Sequence, residues 1–268
     1  MAQTISDERG RGPVSGTAVD KPGRRKPFVL DFYSTAVGKK YVMAITGIIG
    51  IGFVISHMIG NLKVYLGVVD GTYDIDVYGE FLRDLLVPIL PRTYALWLLR
   101  LVLIGAVILH VHAAYSLTVL NRKARPVRYQ SARDYQVASF ASRTMRWTGI
   151  LVVLFLFWHL ADLTWGWFNP DFERGAVYRN LDASLSRVPV AVLYIVANVA
   201  LGIHLFHGTW SLFQSMGWNN PRFNRWRKGL AAGVATLIVV GNVSFPIMTL
   251  AGVIEYDPTV PSAQEVHG

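Results

Sequence analysis

The chain has no cysteine. That excludes disulfides, and it excludes any metal site built on thiolates from this chain alone. A metal held here relies on imidazole or oxygen ligands, or borrows sulfur from a partner. Charge is also scarce, since only 16% of the 268 residues are charged while 52% are hydrophobic and the mean hydropathy is +0.35. A soluble domain of this size carries more charge, so the composition predicts a polytopic membrane protein. Residues 1 to 27 lack an apolar core, so no cleavable signal peptide is expected there; the stretch reads as a disordered or partner-bound arm. No internal repeat and no low-complexity segment stand out.

A bilayer crossing needs about 20 mostly apolar residues. Five segments provide this, at roughly 41 to 66, 93 to 120, 147 to 168, 188 to 216 and 230 to 254. The expected fold is therefore all-α, a five-helix membrane bundle at 39 to 256, with a basic flexible arm at 1 to 38 and a tail at 257 to 268. The net charge of +9 is spread by loop rather than gathered in one patch, which argues against nucleic acid. Arg24, Arg25, Lys26, Lys39 and Lys40 precede the first helix. Arg122, Lys123, Arg125, Arg128, Arg133 and Arg143 follow the second, and Arg222, Arg225, Arg227 and Lys228 follow the fourth. The intervening loops carry Asp70, Asp74, Asp76, Glu80 and Asp84, then Asp171, Glu173 and Asp182, with Glu255 and Asp257 in the tail. The positive-inside rule then places the N terminus in the cytoplasm and the C terminus outside. Tyr78, Phe81, Leu82, Leu85 and Leu86 recur at helical spacing in the first loop, which fits a short helix lying on the outer surface or an ordinary loop with a hydrophobic anchor.

Six histidines lie inside these segments: His57, His110, His112, His159, His204 and His207. An ionisable group at membrane depth is a functional hypothesis by default. A single histidine can serve as an interhelical hydrogen bond. Histidines on four helices at similar depth point instead to ligation, and imidazoles from facing helices are a normal way to hold haem iron. Gly47, Gly50 and Phe53 share a helix face with His57, and Ala197, Ala200, Gly208 and Ser211 flank His204; such small residues suit a flat macrocycle or close helix packing. With a rise of about 1.5 Å per residue, His57 pairs with His159 in the outer half, and His110 pairs with His204 nearer the cytoplasm. His112 with His207 is an alternative inner pair.

The stretches Lys40 to Gly47, His57 to Leu62, Asn121 to Pro126, Phe157 to Leu160 and His204 to Ser211 resemble the single-chain, five-helix cytochrome b anchor of succinate dehydrogenases and fumarate reductases. The resemblance covers residues 40 to about 255. It implies two b-type haems ligated by His57, His110, His159 and His204, docked flavoprotein and iron-sulfur subunits, possible higher oligomers of the complex, and a membrane quinone as substrate in a bacterial cytoplasmic membrane. The extra His112 and His207 depart from that pattern and leave open an inner iron-sulfur cluster with cysteines from a partner. Arg100 and Lys63 suit haem propionates, and Asp162, Glu80 and Asp84 suit proton delivery to a quinone. Pairing of Arg100 with Asp162, or snorkelling of either to the interface, is the structural alternative. Trp165, Trp167, Trp210 and Trp218 fit an aromatic belt. Two other classes remain in view, a cofactor-free anchor and a transporter, the latter resting only on Pro246 in the last helix.

Overall fold

A computed structural model describes residues 27–124, 137–218, 220, 224–261 and 263. Arg24, Arg25, Lys26, Arg125, Arg128, Arg133 and Arg222 lie outside those residues, as does the side chain of Arg143. The chain runs α1 (Phe28–Ser34), α2 (Ala36–Asn61) with a 3-10 turn at Leu62–Leu66, β1 (Val68–Val69), β2 (Thr72–Tyr73), α3 (Asp74–Arg83), α4 (Tyr94–Lys123), α5 (Val137–Leu163), α6 (Val177–Leu185), α7 (Val188–Ser215) and α8 (Asn224–Leu250). Five stretches are long and apolar enough to cross a membrane: Ala36–Leu66, Tyr94–Lys123, Thr144–Leu163, Val188–Ser215 and Asn224–Leu250. The protein is a multi-pass, all-α membrane protein.

The helix ends follow local chemistry. Thr35 caps α2 by accepting the Gly38 N–H at 2.9 Å, which starts the first span earlier than residue 41. The third span stops at Leu163 rather than 168, because Gly166 at φ 71° turns the chain back and the Trp167 N–H reaches the Ala161 carbonyl at 2.7 Å. The fifth stops at Leu250 rather than 254: Gly252, at φ 72°, closes a Schellman motif in which the Val253 N–H meets the Met248 carbonyl at 2.9 Å. Residues 28–34, within the stretch read as an arm, form α1, whose Tyr33 and Ser34 carbonyls take the Lys39 ammonium at 2.9 and 2.8 Å.

At the end of the bundle opposite the N terminus of α2, the loops fold into a cap. The β1–β2 hairpin turns through Asp70 and Gly71, both at positive φ, and Tyr73 stacks on Tyr178 with ring centres 3.9 Å apart. α3 is the short helix anticipated in the first loop; α6 was not anticipated. Asp76 of α3, 2% exposed, accepts the Tyr178 N–H at 2.9 Å and so caps the first turn of α6. The tail closes over both, with the Tyr256 N–H on Asp182 at 3.0 Å and the Asp257 N–H on the Tyr73 hydroxyl at 2.7 Å.

Within the membrane the close packing is α2 on α4, α5 on α7, and α7 on α8. α8 seats Val239 where Gly202 has no side chain and leaves room at Gly241 for Met58 of α2. Asn242 also donates to Asn198 across α7 and α8 at 2.9 Å. The pairs α2 with α5 and α4 with α7 are not close packing partners. Their facing surfaces carry the histidines.

Candidate functional site

His57 of α2 meets His159 of α5 with ring centres 5.9 Å apart and planes at 85°. His110 of α4 meets His204 of α7 at 6.4 Å and 68°. Four residues thus bridge two helix pairs that are otherwise held apart. Thr46 of α2 lies against His110, eleven residues before His57, so the two histidine pairs stand about 16 Å apart along the helix axis.

The ring nitrogens are not equivalent. Thr46 Oγ1 gives its own proton to the Val42 carbonyl at 2.7 Å, so its lone pair, 3.1 Å from His110 Nδ1, accepts an N–H from the ring. Thr148 does the same for His204: its hydroxyl bonds the Thr144 carbonyl at 2.9 Å and lies 3.4 Å from His204 Nδ1. Tyr194 donates to Asp162 at 3.0 Å, and its oxygen lies 3.4 Å from His159 Nδ1. In all three rings the proton is assigned to Nδ1, which leaves the Nε2 lone pair for a metal. Gly149 eases the close approach of His204, since a Cβ there would stand only 3.3 Å from the ring, whereas a Cβ at Gly47 would meet His110 in ordinary contact at 3.6 Å.

These contacts expose a repeat that the sequence reading missed. Met43-x2-Thr46-Gly47-Ile48-x4-Phe53-x3-His57 in α2 recurs as Met145-x2-Thr148-Gly149-Ile150-x4-Phe155-x3-His159 in α5. Phe53 and Phe155 lie beside the histidine four residues on, at 5.3 and 5.8 Å. The α2–α4 unit is therefore echoed by α5–α7, and each histidine pair joins equivalent positions of the two units. A search for the first motif alone would have found Thr46 and Thr148. Tyr194 had no such signal, because its partners Asp162 and His159 lie 32 and 35 residues away.

The remaining candidates are placed as follows. Asp162, fully buried, pairs with Arg187 at 3.0 Å rather than with Arg100, and also receives the Ser184 hydroxyl. Arg100 lies over the Trp97 ring at 5.1 Å. Lys63 pairs with Asp74 at 2.6 Å. Glu80 is ion-paired with Arg83 and Arg92, and Asp84 lies 3.3 Å from Arg92. His112 is exposed and bonds the Tyr33 hydroxyl of α1 at 2.5 Å, while His207 packs beside Phe206. Among the described residues these two histidines are not brought together, and no three His, Asp or Glu side chains converge as a metal-binding group. Outside the membrane spans, burial pushes the Asp76 carboxyl up to about 6 from 3.8, partly offset by the N–H groups of Tyr178 and Val177. Burial raises Tyr73 and Tyr178 and lowers Arg83.

Two imidazoles on one metal, each bonded at about 2.0 Å, put their ring centres about 6 Å apart. Both pairs meet that spacing, with two ligands each and glycine beneath the rings of the inner pair. The donor set fits haem iron, which the two imidazoles of each pair would hold. The family model described as succinate dehydrogenase/fumarate reductase transmembrane subunit matches residues 118–243. The match covers just under half of the chain. That stretch is similar to the membrane subunit of succinate dehydrogenases and fumarate reductases. No curated protein and no solved structure matches the chain.

Proposed function

We propose that this subunit anchors a flavoprotein and an iron-sulfur subunit to the membrane and connects succinate oxidation on those partners to a membrane quinone. The observation that carries the reading is the spacing of the two histidine pairs together with the hydroxyl partners of their Nδ1 atoms. His57 and His159 hold one haem b and His110 and His204 hold the second. Bound haem supplies one-electron redox chemistry between the docked partner and the quinone.

The chain's own residues do the rest. Thr46, Thr148 and Tyr194 fix the tautomer and the orientation of three ligands. The apolar bundle excludes water and sets a low dielectric around the pairs. Arg100, ten residues before His110 and set back against Trp97, offers a cation to a haem propionate, and Lys63 offers another while held at Asp74. Asp162, Glu80 and Asp84 are each paired with arginine, so a proton delivered to a quinone from any of them leaves an ion pair to be rearranged. The basic N-terminal face is cytoplasmic and receives the iron-sulfur partner, and the cap lies outside.

The test is a reduced-minus-oxidised visible spectrum of the purified complex with pyridine haemochrome quantification. The expected result is two haems b per chain, with His57→Ala or His159→Ala removing one signal and His110→Ala or His204→Ala the other. Full haem content in all four variants would overturn the assignment. One haem or none, with acid-labile sulfide present, would move His112 and His207 to the centre of the account.

A further inference from the structure

The two histidine pairs are built alike in sequence but not in what stands behind them. Behind His110 and His204 are threonines whose protons end on backbone carbonyls of their own helices, so each ring sees a neutral, local hydroxyl. Behind His159 the arrangement is longer and charged. Tyr194 stands between His159 Nδ1 at 3.4 Å and Asp162 at 3.0 Å. Asp162 is fully buried and takes two further donors, the Ser184 hydroxyl and Arg187 at 3.0 Å. Arg187 in turn is fixed by the Phe168 carbonyl at 2.6 Å, and its own side chain is 32% exposed at the cap. Phe155 meets Tyr194 edge-on at 5.1 Å and limits the ring's rotation. The corresponding position ten residues before His110 is Arg100, which cannot accept a hydrogen bond. His57 has no hydroxyl partner among the described residues; it stacks on Phe53.

We propose that Tyr194 is a positioning residue that, held by the Asp162 carboxylate, lowers the reduction potential of the centre at His57 and His159 relative to the centre at His110 and His204. This inference rests on the proposed function. The physical chain is short. A carboxylate that accepts the tyrosine proton makes the phenolic oxygen a stronger acceptor, because hydrogen bonds in a chain polarise one another. A stronger acceptor at Nδ1 raises the basicity of the imidazole. A more basic ligand favours the more positive, oxidised state of the metal. Arg187 and Ser184 keep the carboxylate from rotating away, which is why a buried charge is tolerated at this place. Among the described residues the other centre has no such charged backing, so the two halves of a repeated scaffold present electron acceptors of different strength.

The experiment is a spectroscopic redox titration of both centres in the whole complex, with Tyr194→Phe as the main variant, since it keeps the ring and deletes only the hydroxyl. The expected result is an upward shift of the midpoint potential of the centre that His57→Ala removes, a change in the ligand-field anisotropy of its oxidised electron paramagnetic resonance signal, and an unmoved second centre. Asp162→Asn shifts the same centre in the same direction, and adding it to Tyr194→Phe gives no further shift. Where Asp162→Asn fails to assemble, Asp162→Asn with Arg187→Gln removes both charges together and carries the same expectation. An unmoved potential with both signals intact, or an equal shift of both centres, overturns the inference alone. A wild-type complex with no haem signal overturns the proposed function and this inference with it.

Discussion

Thr46 illustrates how much a single hydroxyl can decide. Its proton is spent on its own helix, so what it shows His110 is a lone pair, and the ring is obliged to present Nδ1–H to the threonine and Nε2 to the other side. Thr46→Val keeps shape and apolarity but removes that acceptor. The expected outcome is a folded bundle with roughly 10- to 100-fold weaker retention of the haem proposed for His110 and His204. Release of that group on detergent washing, followed by its absorbance, is the check, and retention equal to wild type would show that the hydroxyl is incidental. The histidines themselves were legible from sequence, because an imidazole in an apolar run has few reasons to be there. Their partners were less so, since threonine is common in membrane helices and reads as packing until its contact is known.

Among elements, α6 depends on a residue far from it in sequence. Its first turn is capped by Asp76, whose carboxyl is buried and held up to about 6, above the 3.8 of an exposed group. The folded cap therefore binds the proton more tightly than the unfolded segment does. Its stabilisation is full below about pH 4 and is lost as pH rises through about 6, on the order of 2–3 kcal/mol in all. Hydrogen-exchange protection factors for residues 177 to 185 should fall between pH 4 and pH 7 in the wild type and stay level in Asp76→Asn, whose amide oxygen still accepts the Tyr178 N–H. A wild-type profile without slope would refute the assignment. α3 could be anticipated because its apolar residues recur at helical spacing. α6 could not, because Tyr178, Leu181 and Leu185 are buried in a cluster drawn from distant segments, among them Val64, Tyr73, Ile75, Phe245 and Ile254, and no local pattern announces that.

For the whole molecule, five spans were readable from hydropathy alone, and their ends were off by a few residues wherever a glycine turned the chain before the apolar run was finished. The pairing of helices was legible only in part: depth arithmetic matched the histidines, but the repeat that relates α2–α4 to α5–α7 is too dilute to see without knowing which of its positions touch. Orientation has a direct check, because a chain without cysteine accepts single reporters. Thr259→Cys and Lys123→Cys, both at exposed positions, should react with a membrane-impermeant maleimide from opposite sides, Thr259 in intact cells and Lys123 only in inverted vesicles. The reverse pattern would invert the assignment. The repeat also imposes an order on biogenesis. Each histidine pair draws one member from the first half of the chain and one from the second, so no site exists in a half-made protein. The His57–His159 site is complete once α5 has entered the membrane, whereas the His110–His204 site waits for α7. On the proposed function, cofactor insertion would thereby be timed by translation itself, with the site nearer the cap ready before the site nearer the N terminus of α2.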